Sequence, residues 1–156
     1  MELNEFIDKD RVCILQGNKK KEVLLELIEL ISQQGEVHDI ERLKDAIFYR
    51  EKLMSTGIGL GIAVPHVRIE GVYHPIVAMG ISHEGILDYE SIDNQPVKIV
   101  VMIVAGKWQH KEYIKLLSLI VTKMKDDSLR GKLIRSRSPE EIYKILLNEN
   151  NGQAIS

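Results

Sequence analysis

The sequence predicts an α/β (α+β) fold arranged as a three-layer sandwich, with helices on both faces of one β-sheet. Strand-like apolar runs and amphipathic helical patterns follow one another along the 156 residues. The run over 97–105 is apolar at nearly every position, which is typical of a central strand covered on both faces. Because no repeat or Pro/Ser-rich linker interrupts the pattern, residues 1–156 are expected to form a single domain.

The first third of the chain predicts one strand and two helices. The strand covers 12–15, and Asn18 is expected to cap the next helix, because its side-chain oxygen can accept a free first-turn N–H. Apolar residues at helical spacing lead toward Gly35, which can adopt the left-handed backbone of a helix end. Asp39 is expected to cap the second helix, which carries Arg50 near its C-terminal end.

The middle of the chain predicts a loop and then three strands. Glycines at alternate positions favour an irregular loop over 55–61. Strands are predicted over 62–67, 76–81 and 97–105.

The last third predicts helices that cover the sheet. A broad apolar face at helical spacing runs from Tyr113 to Met124. The segment Ser138-Pro139-Glu140-Glu141 has the form of a capping box, so a last helix is expected from there to about Leu147. The polar tail NENNGQAIS is expected to be frayed, which leaves a core of about 10–148.

Composition and charge exclude several classes of protein. There are 21 Lys and Arg against 23 Asp and Glu, whereas a duplex DNA binder needs a basic excess. The single cysteine, Cys13, cannot form an internal disulfide and is predicted to be a small buried apolar side chain. The N-terminus has no apolar signal region, and no run approaches the ~20 apolar residues of a membrane span. We therefore expect a cytoplasmic protein that binds no nucleic acid and is not inserted in a membrane.

The stretch STGIGLGIAVPH, residues 55–66, is the most informative part of the sequence. The common nucleotide-binding, zinc-protease and serine-hydrolase motifs are missing from the chain. Glycines in the stretch allow another group to approach closely, and successive backbone N–H groups can form an anion-binding nest. Pro65 restricts the backbone just before His66, so the imidazole would be held where a partner can reach it.

His66 is a candidate nucleophile, because a neutral imidazole can accept a phosphoryl group as a covalent intermediate. From spacing alone, a capped or surface histidine after a tight turn is the better supported alternative.

The segment REKLMSTGIGLGIAVPH, residues 50–66, resembles the active-site motif of the mannitol/fructose-type enzyme IIA domains of the phosphoenolpyruvate-dependent phosphotransferase system. The nitrogen-regulatory branch is especially similar. The resemblance continues through SIDNQPVKIVVMIV, KLLSLIVTKM and SPEEIYKILL, and it covers roughly 21–147. It implies a mixed sheet between helix layers and phosphotransferase activity through a phosphohistidine intermediate, with no cofactor and no metal.

The resemblance also implies roles for individual residues. His66 would take a phosphoryl group from the phosphocarrier protein HPr or its nitrogen-branch equivalent. Arg50 would lie beside that group, and His110 would be the second active-site histidine, although Lys111 follows it where the family commonly has Leu. The open alternatives are an exposed helix-end charge for Arg50 and a surface residue at a helix start for His110.

The loop would support the phosphoryl group through its hydroxyls and N–H groups, and the expected contributors are Ser55, Thr56, Gly57, Gly59 and Gly61. A turn within the loop is an equally good role for the Thr56 hydroxyl. Leu60 would either form part of a protein-docking patch or pack inward.

Two downstream acceptors fit this scheme. One is a IIB domain in sugar uptake, and the other, somewhat favoured, is a kinase or transporter regulated by the phosphorylation state. An interaction module that works without phosphorylation is the alternative.

The remaining charged and titratable residues carry weaker predictions. His38, His74 and His83 are predicted to be solvent-facing turn residues, and a zinc site at His66 and His110 has no ligand spacing to support it. The basic cluster over 123–137 is predicted to be a solvated helix face, with an acidic partner as the alternative.

Overall fold

The computed structural model describes residues 2–155, with side chains up to residue 148, and within them six strands form one sheet and five α-helices cover it. The strands are β1 (Val12–Ile14), β2 (Gly57–Gly59), β3 (Ile62–Ala63), β4 (His66–Ile69), β5 (Ile76–Ile86) and β6 (Val97–Gly106). The helices are α1 (Lys20–Ser32), α2 (Ile40–Leu53), α3 (His110–Met124), α4 (Asp127–Arg135) and α5 (Pro139–Ile155).

The sheet is mixed and runs in the order β1-β5-β6-β3-β2, with β4 also paired to β6. β1 is parallel to β5, β5 is antiparallel to β6, and both β3 and β4 are parallel to β6. β2 closes the edge as the antiparallel partner of β3. Helices α1 and α2 lie over one face and α3 to α5 over the other, which confirms the predicted three-layer sandwich.

β6 is the central strand, as its apolar sequence predicts. Side chains alternate between the two faces of a strand, so a strand covered on both faces needs apolar residues at successive positions. The residues packed in the core with α1 and α2 are Val100, Met102 and Val104, and those packed with α3 to α5 are Ile99, Val101 and Ile103. All six are fully buried.

The strand predicted over 62–67 is divided at Val64 and Pro65. Proline has no N–H to donate to a ladder, although the Pro65 carbonyl still accepts from the Ile103 N–H at 2.9 Å. β3 and β4 keep one register along β6. The division therefore interrupts the ladder just before His66 without displacing the strand.

The segment over 55–61, predicted as an irregular loop, contains β2 and the turn of a hairpin with β3. Gly59, Leu60 and Gly61 have φ angles of 92°, 60° and 76°, a left-handed backbone that suits the two glycines. At Gly57, a Cβ would lie 2.3 Å from the carbonyl oxygen of Glu90. The glycines are therefore needed for a tight turn and a close backbone contact.

The start of α1 is held by a residue that is remote in sequence. Its N-cap is Lys19 and not the predicted Asn18, and Lys19 makes no side-chain cap. The carboxylate of Asp88 accepts the Lys20 N–H at 2.7 Å instead. Asp39 caps α2 through its own side chain, as predicted.

The C-terminal helices depart from the prediction in two ways. Asp126 caps a separate helix, α4, so the basic cluster over 123–137 spans a helix break instead of one helix face. α5 extends to Ile155, beyond the predicted end near Leu147 and into the tail expected to be frayed. No proline interrupts this stretch, so helical hydrogen bonds can continue through it.

The core begins before residue 10. Two single turns of 3-10 helix bring Leu3 and Ile7 into the core beneath α3 and α5, where both side chains are buried.

A buried carboxylate joins the end of α2 to β2. Glu51 is only 6% exposed, and its oxygens accept the Thr56 N–H at 3.1 Å and the Thr56 hydroxyl at 2.5 Å. The Tyr89 hydroxyl lies 2.9 Å from Thr56 Oγ1 and donates to it, because the Thr56 proton is directed at Glu51. Lys20 Nζ, 3.1 Å from the Glu51 carboxylate, pairs the buried charge. These contacts position Arg50, which precedes Glu51 in the last turn of α2.

Replacing Thr56 with Val should lower the free energy of unfolding by roughly 1–3 kcal/mol, because the buried carboxylate and phenol lose a hydrogen-bond partner. Urea denaturation measures the change. Thr122→Val, at an exposed position of α3, is the matched control and should change stability far less. Equal losses in both variants would contradict a stabilising role for the network.

Gly57→Ala should destabilise the protein by roughly 1–3 kcal/mol, because the added Cβ meets backbone that cannot move aside cheaply. Gly131→Ala should instead stabilise it by about 0.5–1 kcal/mol, since alanine is the better helix former and only the flexible Arg135 side chain is nearby. Thermal unfolding of the two variants compares them. A stable Gly57→Ala protein would show that the backbone contact is not required.

Candidate functional site

The imidazole of His66 is held by the backbone two residues before it. His66 begins β4 and is half-buried, and its Nδ1 lies 2.6 Å from the carbonyl oxygen of Val64. A carbonyl oxygen can only accept, so this contact requires the proton on Nδ1. Nε2 then keeps its lone pair. Pro65 supports the arrangement, because a proline restricts the residue before it to extended geometry.

The environment of His66 favours the neutral imidazole. Burial lowers its pKa below the ordinary value of 6.5, because desolvation disfavours the charged ring. The hydrogen bond to Val64 acts in the opposite direction, the charge of Arg50 lowers the pKa further, and Glu51 raises it. With the lowered pKa, the ring is mainly neutral near pH 7 and can act as a nucleophile.

Arg50, in the last turn of α2, is a cation whose charge acts on His66. Its guanidinium donates one hydrogen bond to the carbonyl of Met54, at 2.7 Å, beyond the end of α2. Its charge acts to lower the pKa of both His66 and Tyr113, so it lies within electrostatic range of both rings. The role of Arg50 beside a phosphoryl group stays a prediction, which this electrostatic influence favours.

The aromatic ring beside His66 belongs to Tyr113, one turn into α3. The two ring centroids are 5.7 Å apart and the planes are inclined by 47°. The guanidinium carbon of Arg68 lies 5.6 Å from the centroid of the Tyr113 ring. His66 and Arg68 are two residues apart on β4, so they share a face of the strand, and α3 covers that face.

Sequence reasoning missed Tyr113 and Arg68 as residues of the site. Tyr113 is the first residue of an apolar helical pattern, so it resembles an ordinary core residue. One sequence signal was available. In the motif that this segment resembles, the second active-site histidine is commonly followed by Leu. Tyr113 is followed by the apolar Ile114, whereas His110 is followed by Lys111.

His110 is the first residue of α3 and is exposed. Among the residues with described side chains, it makes no hydrogen bond, ring contact or ion pair with His66 or Arg50. It lies one turn before Tyr113, and its role in the site stays a prediction.

Two N–H groups of the hairpin turn are occupied by side chains. Gly59 donates to the Ser91 hydroxyl at 3.0 Å, and Leu60 donates to the Asp93 carboxylate at 2.9 Å. Asp93 accepts backbone hydrogen bonds, chiefly from Leu60, and these lower its pKa. These two N–H groups are therefore taken by side chains of a neighbouring segment, which weighs against an anion-binding nest at this turn; the part of Gly57, Gly59 and Gly61 in binding a phosphoryl group stays a prediction.

The two hydroxyls predicted to support a phosphoryl group also serve the fold. Ser55 donates to the carbonyl of Glu90 at 2.6 Å, and Thr56 donates to the buried carboxylate of Glu51. These contacts favour a structural role for both hydroxyls. Gly61 is likewise bound into the sheet, where its carbonyl accepts the Lys98 N–H at 2.7 Å.

Apolar side chains are exposed around the hairpin turn. Leu60 is 52% exposed, and Ile92, whose side chain lies next to Gly59, is 82% exposed. Leu60 therefore does not pack inward, which leaves the docking alternative.

The other candidate residues lie apart from this site or serve the fold. Within the described part of the chain, no group of three or more His, Cys, Asp or Glu side chains is arranged to hold a metal ion. His83 lies in β5 instead of a turn, and its Nε2 is 2.6 Å from the Ser136 carbonyl. Burial raises the pKa of Cys13 to about 12, so the thiol is unreactive. None of the described helices combines the length and apolar character needed to span a membrane.

Comparison with known proteins finds relatives that match nearly the whole chain. Residues 5–149 match the protein family described as "Phosphoenolpyruvate-dependent sugar phosphotransferase system, EIIA 2". The nitrogen regulatory protein of Pseudomonas aeruginosa is 30% identical, over 88% of this chain and 88% of that protein. The fructose-specific EIIABC component of Bacillus subtilis is 33% identical over 94% of this chain, which spans only 23% of that longer protein.

A solved structure agrees with the fold. The crystal structure of nitrogen regulatory protein IIA-Ntr from Neisseria meningitidis matches with a TM-score of 0.83 and 27% identity, covering 92% of this chain and 98% of that one. Motif, fold and sequence match point to the same relatives, and the chain therefore belongs to the EIIA 2 family of the phosphoenolpyruvate-dependent sugar phosphotransferase system.

Proposed function

We propose that this chain is a phosphocarrier whose His66 accepts a phosphoryl group on Nε2. The proposal rests mainly on the 2.6 Å contact between His66 Nδ1 and the Val64 carbonyl. Because that contact occupies Nδ1, Nε2 is the ring nitrogen with a lone pair available for attack. The lowered pKa of His66 supports the same assignment, since only the neutral ring is nucleophilic.

In the transfer step, the Nε2 lone pair bonds to phosphorus while the P–N bond of the donor's phosphohistidine breaks. The electron pair of that bond returns to the donor nitrogen, so no oxidant, reductant or cofactor takes part. His66 keeps the proton on Nδ1, and the Val64 carbonyl stabilises the positive charge that the ring gains. The retained proton also makes the imidazole a better leaving group for onward transfer.

Arg50 is the group best suited to stabilise the phosphoryl charge. It uses one of its N–H groups on the Met54 carbonyl, and a guanidinium has further donors for phosphoryl oxygens. Hydrogen bonds to a charged group in a partly buried site contribute more than they do in water. His110 is a second candidate for this role, on the resemblance alone.

The partners would be proteins instead of small molecules. We propose HPr or its nitrogen-branch equivalent as the donor, and a IIB domain or a regulated kinase or transporter as the acceptor. The names of two relatives, a fructose-specific EIIABC component and a nitrogen regulatory protein, support both kinds of acceptor. The exposed Leu60 and Ile92 at the hairpin turn support protein docking. These partners imply a cytoplasmic location, with no nucleic acid bound and no insertion in a membrane.

Incubation of the protein with phosphoenolpyruvate, enzyme I and HPr should add the mass of one phosphoryl group, in an acid-labile linkage. His66→Ala should abolish the gain completely, because it removes the nucleophile. Intact-mass spectrometry makes the measurement, and His74→Ala, at an exposed position, is the matched control. No gain in the wild-type protein, with both kinds of donor tried, would favour the interaction module that needs no phosphorylation.

The pKa of His66 should lie below 6.5, and Arg50→Met should raise it, because one source of positive charge is removed. NMR titration of the imidazole protons measures both values, and Arg42→Met, at the exposed start of α2, is the control. The rate of phosphorylation should rise with pH up to this pKa and level off above it. A His66 pKa above 6.5 in the wild-type protein would contradict the site electrostatics.

A further inference from the structure

We propose that Tyr113 is a phosphoryl-binding residue of this site, and that its hydroxyl donates a hydrogen bond to a phosphoryl oxygen on His66. This inference rests on the proposed function of His66 and adds a residue to it. The ring of Tyr113 is the aromatic neighbour of His66, at a centroid distance of 5.7 Å. The two ring planes are inclined by 47°, which places the Tyr113 ring directly beside the imidazole that would carry the phosphoryl group.

The hydroxyl of Tyr113 is available as a donor. Within the part of the chain whose side chains are described, it has no hydrogen-bond partner, although the ring is half-buried. Burial raises the pKa of Tyr113, and the charges of Arg68 and Arg50 oppose that effect without reversing it. The phenol therefore stays protonated at neutral pH and can donate to an anion.

The charges of two arginines act on Tyr113. Arg68 holds the Tyr113 ring through a cation–π contact at 5.6 Å, and its guanidinium also donates to the Lys107 carbonyl at 3.4 Å. Arg50 acts electrostatically on both Tyr113 and His66. A neutral donor beside a nucleophilic nitrogen, with two guanidinium groups acting on it, suits a doubly charged phosphoryl group. Arg68 is thus a positioning residue, which acts on the phosphoryl group through Tyr113.

The geometry favours Tyr113 over His110 for this role. Both lie in the first turn of α3, but it is Tyr113 whose ring contacts His66. His110 is exposed at the start of the helix. Among the residues with described side chains, no hydrogen bond, ring contact or ion pair joins it to His66.

The test compares wild-type protein with Tyr113→Phe, Tyr143→Phe and His110→Ala. Tyr113→Phe keeps the aromatic ring and removes only the hydroxyl. Tyr143 is the matched control, since it is also a half-buried tyrosine packed against the same core. The measurements are the equilibrium constant for phosphoryl transfer from phospho-HPr and the ³¹P resonance of phosphorylated His66.

Tyr113→Phe should lower the equilibrium constant roughly tenfold or more, because a hydrogen bond to a charged group is lost. It should also shift the ³¹P resonance, which a purely structural role would leave in place. Tyr143→Phe should match the wild type in both measurements, and His110→Ala should change the equilibrium constant less than Tyr113→Phe does.

Two failures can be told apart. If the wild-type protein takes up no phosphoryl group, the proposed function fails and this inference falls with it. If the wild type is phosphorylated on His66 and Tyr113→Phe behaves identically in both measurements, only the role of Tyr113 is overturned. A loss in His110→Ala with none in Tyr113→Phe would assign the role to His110.

Discussion

The hydrogen bond between His66 Nδ1 and the Val64 carbonyl is the contact on which the rest of the site depends. It orients the imidazole, selects its tautomer and leaves Nε2 free. Along this segment the carbonyls of Gly61 and Pro65 accept N–H groups of β6, so the Val64 carbonyl lies on the other side of the strand. The Val64 carbonyl therefore accepts from the His66 side chain and not from β6. The orientation of the His66 ring is thus set by the backbone of its own segment.

Helix layers from both faces of the sheet converge on this histidine. Arg50 comes from α2, in the layer that packs with α1, whereas Tyr113 comes from α3, in the opposite layer. The buried carboxylate of Glu51 joins α2 to β2, so the position of Arg50 is tied to the hairpin next to the site. Charges that are already held in place need no rearrangement when negative charge develops beside them. This preorganisation supplies much of the electrostatic stabilisation in sites of this kind.

The glycine-rich hairpin is better understood as scaffold than as ligand cradle. Its N–H groups and hydroxyls bond to Ser91, Asp93, Glu90 and Glu51, and a Cβ at Gly57 would collide with backbone. The same features that suggest phosphate binding in a sequence, small residues with many free donors, also permit two backbone segments to pack closely. Only the partners of those donors distinguish the two roles, and here the partners are internal.

The sequence by itself determined the three-layer fold, the central β6 strand, the Asp39 cap and the family, because these depend on local spacing and on a long contiguous motif. Tertiary structure alone decided which side chains meet His66. Tyr113 shares the helical period of the core residues that follow it, so periodicity does not separate a site residue from a packing residue there. Asp88 holds the start of α1 across 68 positions, and Asp93 holds Leu60 across 33. Such contacts depend on how distant segments pack together, which periodicity along the chain does not encode.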